Sequence, residues 1–183
     1  MKDEQNYWSK IVSKLNELNL RIATMESCTG GGIANEITNI SGASSVLKES
    51  YVTYCNEAKI KQGVPAEVIA KYTVYSPETA VEMAKAVKKK ANSDIGVGVT
   101  GQLGRIDPNN PVPKLNQVWY AVISPNDEIV VKQITAPSDE RKKQKEFVIK
   151  AVASTIFELL SSIKTKWENR KNKISYTNVW QMY

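Results

Sequence analysis

Three features of the sequence predict a layered α/β domain built on a mixed sheet. Segments with helical and strand-like hydrophobic periods alternate along the chain. Two strand-like runs late in the chain are joined by a short Pro-Asn-Asp turn, which adds an antiparallel edge, and 183 residues suffice for one domain with a substantial core.

The elements follow in order. Trp8, Ile11, Val12, Leu15, Leu18 and Leu20 form the apolar stripe of a first helix, interrupted by Asn19 and followed by a strand over 21–25. A second helix is expected from about Thr29 through Ile33, Ala34 and Ile37; three glycines weaken its first turn but allow close approach of a strand or ligand. Residues 41–47 read as a connection and 50–54 as a strand. Asn56 is placed to cap a short helix carrying Ala58, Lys59 and Ile60, which ends near Gly63 and Pro65, and 66–72 form another helical turn. Ser76, Pro77 and Glu78 give the strongest helix start in the chain, as N-cap, first helical residue and acid at the positive end. Residues 94–101 alternate small and apolar side chains like an interior strand, and 102–116, rich in Pro, Asn and Gly, read as a loop. Strands over 118–124 and 128–135 form the hairpin. A long helix is expected over 138–163 from the stripe Phe147, Val148, Ala151, Val152, Ile156, Leu159, Leu160 and Ile163. Beyond it, residues 164–183 are basic and aromatic without a sustained helical period, and are expected to be a tail that packs on the domain or on a sister subunit or is partly disordered, compatible with a homo-oligomer.

Composition removes whole classes of chemistry. The chain has no histidine, so histidine-dependent triads and histidine metal sites are excluded, and serine, cysteine, lysine, tyrosine and carboxylates remain. The two cysteines, Cys28 and Cys55, form neither a metal-like cluster nor a disulfide framework, which fits free thiols in a reducing compartment. No stretch has the length and apolarity of a signal peptide or a bilayer span, so a cytoplasmic protein with no membrane partner is expected. A net charge of +6 suits a nucleotide or phosphate ligand. Although the basic aromatic tail invites stacking on nucleic acid, no nucleic-acid motif accompanies it, and nucleic acid is not the expected partner.

Three short stretches carry candidate chemistry. In MESCTGGG, Ser27 sits where a strand end feeds a turn and a helix start, where free backbone amides would stabilise a phosphate or oxyanion; equally, Ser27 or Thr29 would cap the helix. Cys28 is a competing nucleophile or a buried structural thiol, and Glu26 would orient a lysine or a substrate amide or make a local hydrogen bond. Gly30, Gly31 and Gly32 fit close ligand approach or simply the turn. In YVTYCNEAK, Tyr54 and Lys59 lie five apart, so a strand-to-helix bend would point both into one cleft and supply the base a serine needs; otherwise Tyr54 packs and Lys59 is surface charge. In VTGQLGR, Thr100 and Gly101 at a strand end would expose backbone donors and Arg105 would meet phosphate, or the segment is an ordinary turn. Arg141, at the start of the late helix, would clamp an anion bidentately or lie on a solvated face shared with Lys145.

Taken together, ATMESCTGGGIA, SYVTYCNEAKIKQGVP, VGVTGQLG and DERKKQK resemble, in order and interval over residues 7–163, the CinA C-terminal-domain family, the competence and damage-inducible group that includes nicotinamide-nucleotide amidases. The resemblance implies a three-layer α/β/α domain over 1–163, with 164–183 outside it. It also implies an enzyme that hydrolyses the carboxamide of nicotinamide mononucleotide to nicotinic acid mononucleotide and ammonia, with no cofactor and no metal. By the same resemblance the nucleophile falls on Ser27, its tyrosine and lysine on Tyr54 and Lys59, and substrate contacts on Thr29, Gly30, Gly31, Thr100, Gly101 and Arg141. Two departures stand out: QLGRIDPNN replaces the alanine-glycine-proline that follows the family's Thr-Gly strand end, and KLNQV replaces its proline-valine-glycine approach to the next strand. Arg105 would compensate with a phosphate contact. The alternative is a non-catalytic nucleotide-binding or regulatory relative.

Overall fold

A computed structural model of the chain describes residues 4–105, 107 and 115–177. Its elements are α1 (Glu4–Glu17), β1 (Ile22–Glu26), α2 (Gly32–Thr38), a 3-10 turn (Ala43–Ser45), β2 (Leu47–Val52), α3 (Asn56–Lys61), α4 (Ala66–Tyr72), α5 (Pro77–Ala91), β3 (Ile95–Gly101), β4 (Gln117–Ile123), β5 (Ile129–Thr135) and α6 (Arg141–Thr177). One five-stranded sheet runs in the order β2-β1-β3-β4-β5. Within it β2, β1 and β3 are parallel, and β4 and β5 form the antiparallel hairpin at one edge.

Strand alternation sorts side chains between two helical layers. Ile22, the odd-numbered residues Ile95, Val97 and Val99, and Val118, Tyr120 and Val122 face a core shared with α1, α2 and α6. Ala23 and Met25 face α4 and α5, and Ala121 and Ile123 meet Ala80 and Ala84 of α5. On β3 the residues facing α5 are glycines, and this lets the helix lie directly on the strand. A Cβ on Gly96 would sit 2.3 Å from the Ala84 carbonyl oxygen, and one on Gly98 would sit 2.2 Å from that of Ala80. The start of α5 is as its sequence predicts: Ser76 accepts the Thr79 N–H at 3.1 Å, with Pro77 next, and Asn92 closes the helix in the left-handed conformation.

Four expectations shift. The second helix begins at Gly32 rather than near Thr29, because Gly30 and Gly31 take φ of 65° and 87° and hold the chain in a turn. Strand β2 covers Leu47–Val52, so Tyr54 lies beyond its end, and Asn56 is the first residue of α3 behind an extended Cys55 rather than its cap. The late helix does not stop at Ile163 but continues to Thr177: KTKWENRKNK contains neither Pro nor Gly and is rich in Lys, Arg and Glu, so nothing local ends it. The rest of the expected tail, 178–183, and most of the 102–116 loop lie outside the described residues. No helix among the described residues is long and apolar enough to cross a membrane.

Gly98→Ala is expected to lower unfolding free energy in urea by about 2 kcal/mol or more, because the contact it overfills is backbone and cannot rotate away.

Candidate active site

Two parallel strands end side by side and build the site. At the end of β1 the Ser27 N–H donates to the Val99 carbonyl of β3 at 3.0 Å, and on the other side Thr53 N–H donates to the Glu26 carbonyl at 2.8 Å. The chain then turns into α3, whose first turn brings Lys59 back beneath Thr53. Lys59 is 2% exposed, and its Nζ donates to the Thr53 carbonyl at 2.7 Å and to Ser27 Oγ at 3.1 Å. The strand ladder therefore fixes the carbonyl that holds the amine, and the amine meets the hydroxyl.

Burial of the pair acts on charge. Desolvation brings Lys59 down to about 8, against a weaker opposing pull from Cys28 and Cys55. At pH 7 about a tenth of the amine is then neutral, enough for a base. The same desolvation pushes the neighbouring Cys28 thiol up to about 12 despite the nearby Lys59 and Arg141 cations. Cys28 is thus held as an inert thiol, and Ser27 is the nucleophile candidate that has a base.

A cavity of about 470 Å³ opens on this pair, and its wall includes Ser27, Lys59, Tyr54, Gly101, Arg105 and Arg141. Of the predicted residues these six come together. Tyr54 is 61% exposed, and its hydroxyl accepts a hydrogen bond from Arg141 Nη2 at 2.8 Å; among the described residues none joins it to Ser27 or Lys59. Arg141 also donates through Nη1 to the Leu103 carbonyl, so it bridges the first turn of α6 to both sides of the cavity mouth. Arg105 is exposed on the rim.

The other predicted residues lie outside the cavity wall. Gly30 and Gly31 shape the turn, packed against Lys145 Nζ and Val52. Thr29 is buried, and among the described residues its hydroxyl has no partner. Thr100 turns its hydroxyl away, donating to the Val74 carbonyl at 2.6 Å, and so anchors the segment ahead of α5 to the end of β3. Among the described residues no lysine meets the Glu26 carboxylate, which accepts the N–H groups of Ile33 and Ala34 at 3.1 and 2.9 Å.

Sequence reasoning missed part of the wall. Tyr75 donates to Asp107 Oδ2 at 2.7 Å, and its phenol is driven upward by burial first and by that acceptor second. Gln102 is buried and donates through Nε2 to the Arg105 carbonyl at 2.6 Å, bracing the segment that follows β3. Tyr75 adjoins the N-cap Ser76, the one available signal that it would sit near strand ends; nothing in the sequence marked Gln102 or Asp107.

The CinA C-terminal domain family model matches residues 4–160. The chain is 37% identical over 142 residues to a CinA-like protein of Kosmotoga olearia, a match that covers 76% of this chain and 34% of that protein. It thus spans about a third of the length of such relatives. Among solved structures, the competence/damage inducible protein CihA from Agrobacterium tumefaciens superposes with a TM-score of 0.78 at 27% identity, over 86% of this chain and 95% of that one. A competence-damaged protein (CinA) superfamily protein from Klebsiella pneumoniae 700603 gives 0.80 at 21% identity, over 87% and 98%, a likeness of fold alone.

Two outcomes follow from the electrostatics. Lys59 carries a lowered value in the fold, so the folded state sheds its proton near pH 8 while the unfolded chain keeps it to about 10.5; wild-type stability therefore gains about 3 kcal/mol from this group as pH rises through that window. Lys59→Met lacks that gain, so its stability relative to wild type should fall by the same amount between pH 7 and pH 10.5 in denaturant titrations. Iodoacetamide at pH 8 should alkylate the exposed Cys55 of the native protein and spare Cys28, as read by peptide mass.

Proposed function

The chain belongs to the CinA C-terminal domain family, and on that premise we propose that it is an amidohydrolase that converts nicotinamide mononucleotide to nicotinic acid mononucleotide and ammonia. The observation that carries this reading is the buried Lys59–Ser27 contact at 3.1 Å.

In the reaction, neutral Lys59 keeps its donation to the Thr53 carbonyl and accepts the Ser27 proton as Oγ attacks the carboxamide carbon. The C–O bond forms while the carbonyl π pair moves to oxygen, giving an oxyanion that the Cys28 backbone N–H, next to the nucleophile on the cavity wall, would stabilise. Collapse of the oxyanion breaks the C–N bond, and the Lys59 proton goes to the departing nitrogen, which leaves as ammonia. Water then attacks the Ser27 ester, giving a proton to Lys59; collapse releases the acid and returns that proton to Ser27 Oγ. Nucleophile, base and oxyanion donors all come from the protein, so the chemistry requires neither metal nor cofactor. Arg141 and Arg105 supply positive charge at the cavity mouth for the nucleotide phosphate. Tyr54, held by Arg141, completes that rim and reaches the reacting atoms only by releasing the arginine to the ligand.

That arrangement of Tyr54 also favours a second reading, a nucleotide-binding protein without turnover. Incubation with nicotinamide mononucleotide, following ammonia and nicotinic acid mononucleotide together, separates the two. Turnover is expected, with kcat/KM rising tenfold per pH unit below about 8 and levelling above it as the amine becomes neutral. Ser27→Ala and Lys59→Ala should each lower kcat by at least about a thousandfold while still binding the nucleotide. Binding without turnover by the wild type would establish the second reading instead.

A further inference from the structure

The reaction leaves one buried ionisable group of the nucleophile motif unused. Glu26 is fully buried, and it immediately precedes Ser27. Its Oε2 accepts the Ile33 N–H at 3.1 Å and its Oε1 the Ala34 N–H at 2.9 Å, with a weaker contact from the Thr24 hydroxyl at 3.4 Å. These N–H groups are the second and third of α2, the ones an N-cap side chain ordinarily satisfies, and the residue at the cap is Gly31, which has none to offer. Glu26 therefore caps the helix from the strand on the other side of the nucleophile.

The consequence lies in the connectivity. Between the carboxylate's residue and the N–H groups that donate to it runs the 27–31 turn, which carries Ser27 and enters a run of three glycines, two with positive φ. Glycine has the most backbone freedom to lose, so such a turn does not hold a side chain in place by itself. The two hydrogen bonds join the end of β1 to the first turn of α2 and close the turn into a short ring. We propose that Glu26 is a positioning residue for the nucleophile, clamping the glycine turn so that Ser27 Oγ stays against Lys59. The proposal rests on the reading of Ser27 as the nucleophile. Each N–H meets its own oxygen: in the same pose glutamine keeps one acceptor and turns its NH2 on the other N–H, and aspartate is one methylene short.

The test reads Ser27 directly. Labelling by phenylmethylsulfonyl fluoride, followed by peptide mass, is measured with thermal unfolding and nicotinamide mononucleotide turnover on wild type, Glu26→Gln, Glu26→Asp and Ile37→Val. Ile37 is a buried residue of the same helix and does not line the cavity, so its variant controls for general loss of stability. Expected are a 10- to 100-fold fall in labelling rate and in kcat for whichever Glu26 variant folds, KM within about twofold, and an unchanged pH midpoint, since Glu26 is not among the groups that shift Lys59. Ile37→Val should label at the wild-type rate. Labelling of the Glu26 variants no slower than that of Ile37→Val overturns the proposal, as does failure of both Glu26 variants to fold while Ile37→Val folds, which would make the acid purely structural. Wild type labelled at Ser27 but inert toward the nucleotide would overturn the substrate assignment and leave the positioning role standing; wild type unlabelled at Ser27 overturns both.

Discussion

The site depends on an amine held out of water. Lys59 occupies a place that an apolar side chain would fill at less cost: desolvation of its ammonium opposes folding by about 3 kcal/mol at neutral pH, a large part of the margin of a domain this size. The placement is sustained because the amine is not left without partners. The Thr53 carbonyl takes one of its hydrogens, and that carbonyl belongs to a residue whose N–H is tied to the last residue of β1. The sheet does the positioning, and the short helix α3 only delivers the side chain.

Sheet topology explains why the site lies here. β1 sits between β2 and β3, with the chain leaving it toward one neighbour and returning on the other side, the arrangement that opens a crevice beyond the carboxyl ends of parallel strands. Ser27 terminates β1 in that crevice, Gly101 and Gln102 continue β3 into it, and Arg141 reaches across from the first turn of α6. The close seat of α5 on Gly96 and Gly98 belongs to the same construction. It holds β3 at a fixed depth, and Thr100 pins the segment before α5 to the strand end.

Much of this was legible in the sequence, for a physical reason. β1, β3, β4, β5 and α5 announce themselves because hydrophobic period and capping residues are local, and they agree with the tertiary structure. Ser27 was legible as a candidate nucleophile only alongside the alternative that it capped a helix, and the structure gives that cap to Glu26. Lys59 was not readable as a buried residue: NEAKIK has the composition of a solvated helix, and only the contacts of its Nζ with Thr53 and Ser27 reveal that the phase of α3 turns the lysine inward. Tyr54 was expected beside the reacting pair, but β2 ends two residues earlier and leaves its ring in solvent with Arg141. The start of α2 was misplaced because helix propensity does not register that two successive glycines adopt positive φ.

Burial has opposite chemical effects on the two neighbours of Ser27, and under the proposed mechanism this favours the hydroxyl over the thiol. Low polarity disfavours charge of either sign, so it suppresses the thiolate of Cys28 and favours the free amine of Lys59. A site built around a cysteine would require the reverse, a cation kept charged to stabilise the thiolate. In the proposed reaction the pair that reacts is the neutral fraction, hydroxyl beside amine, and charge appears as the proton crosses the 3.1 Å between them. The ammonium and the oxyanion then form together a few ångströms apart, in surroundings where their mutual attraction is strong and where each alone would be costly. An alcohol paired with a desolvated amine thus favours the charge-separated transition state over either ion in the ground state, and it does so without imidazole.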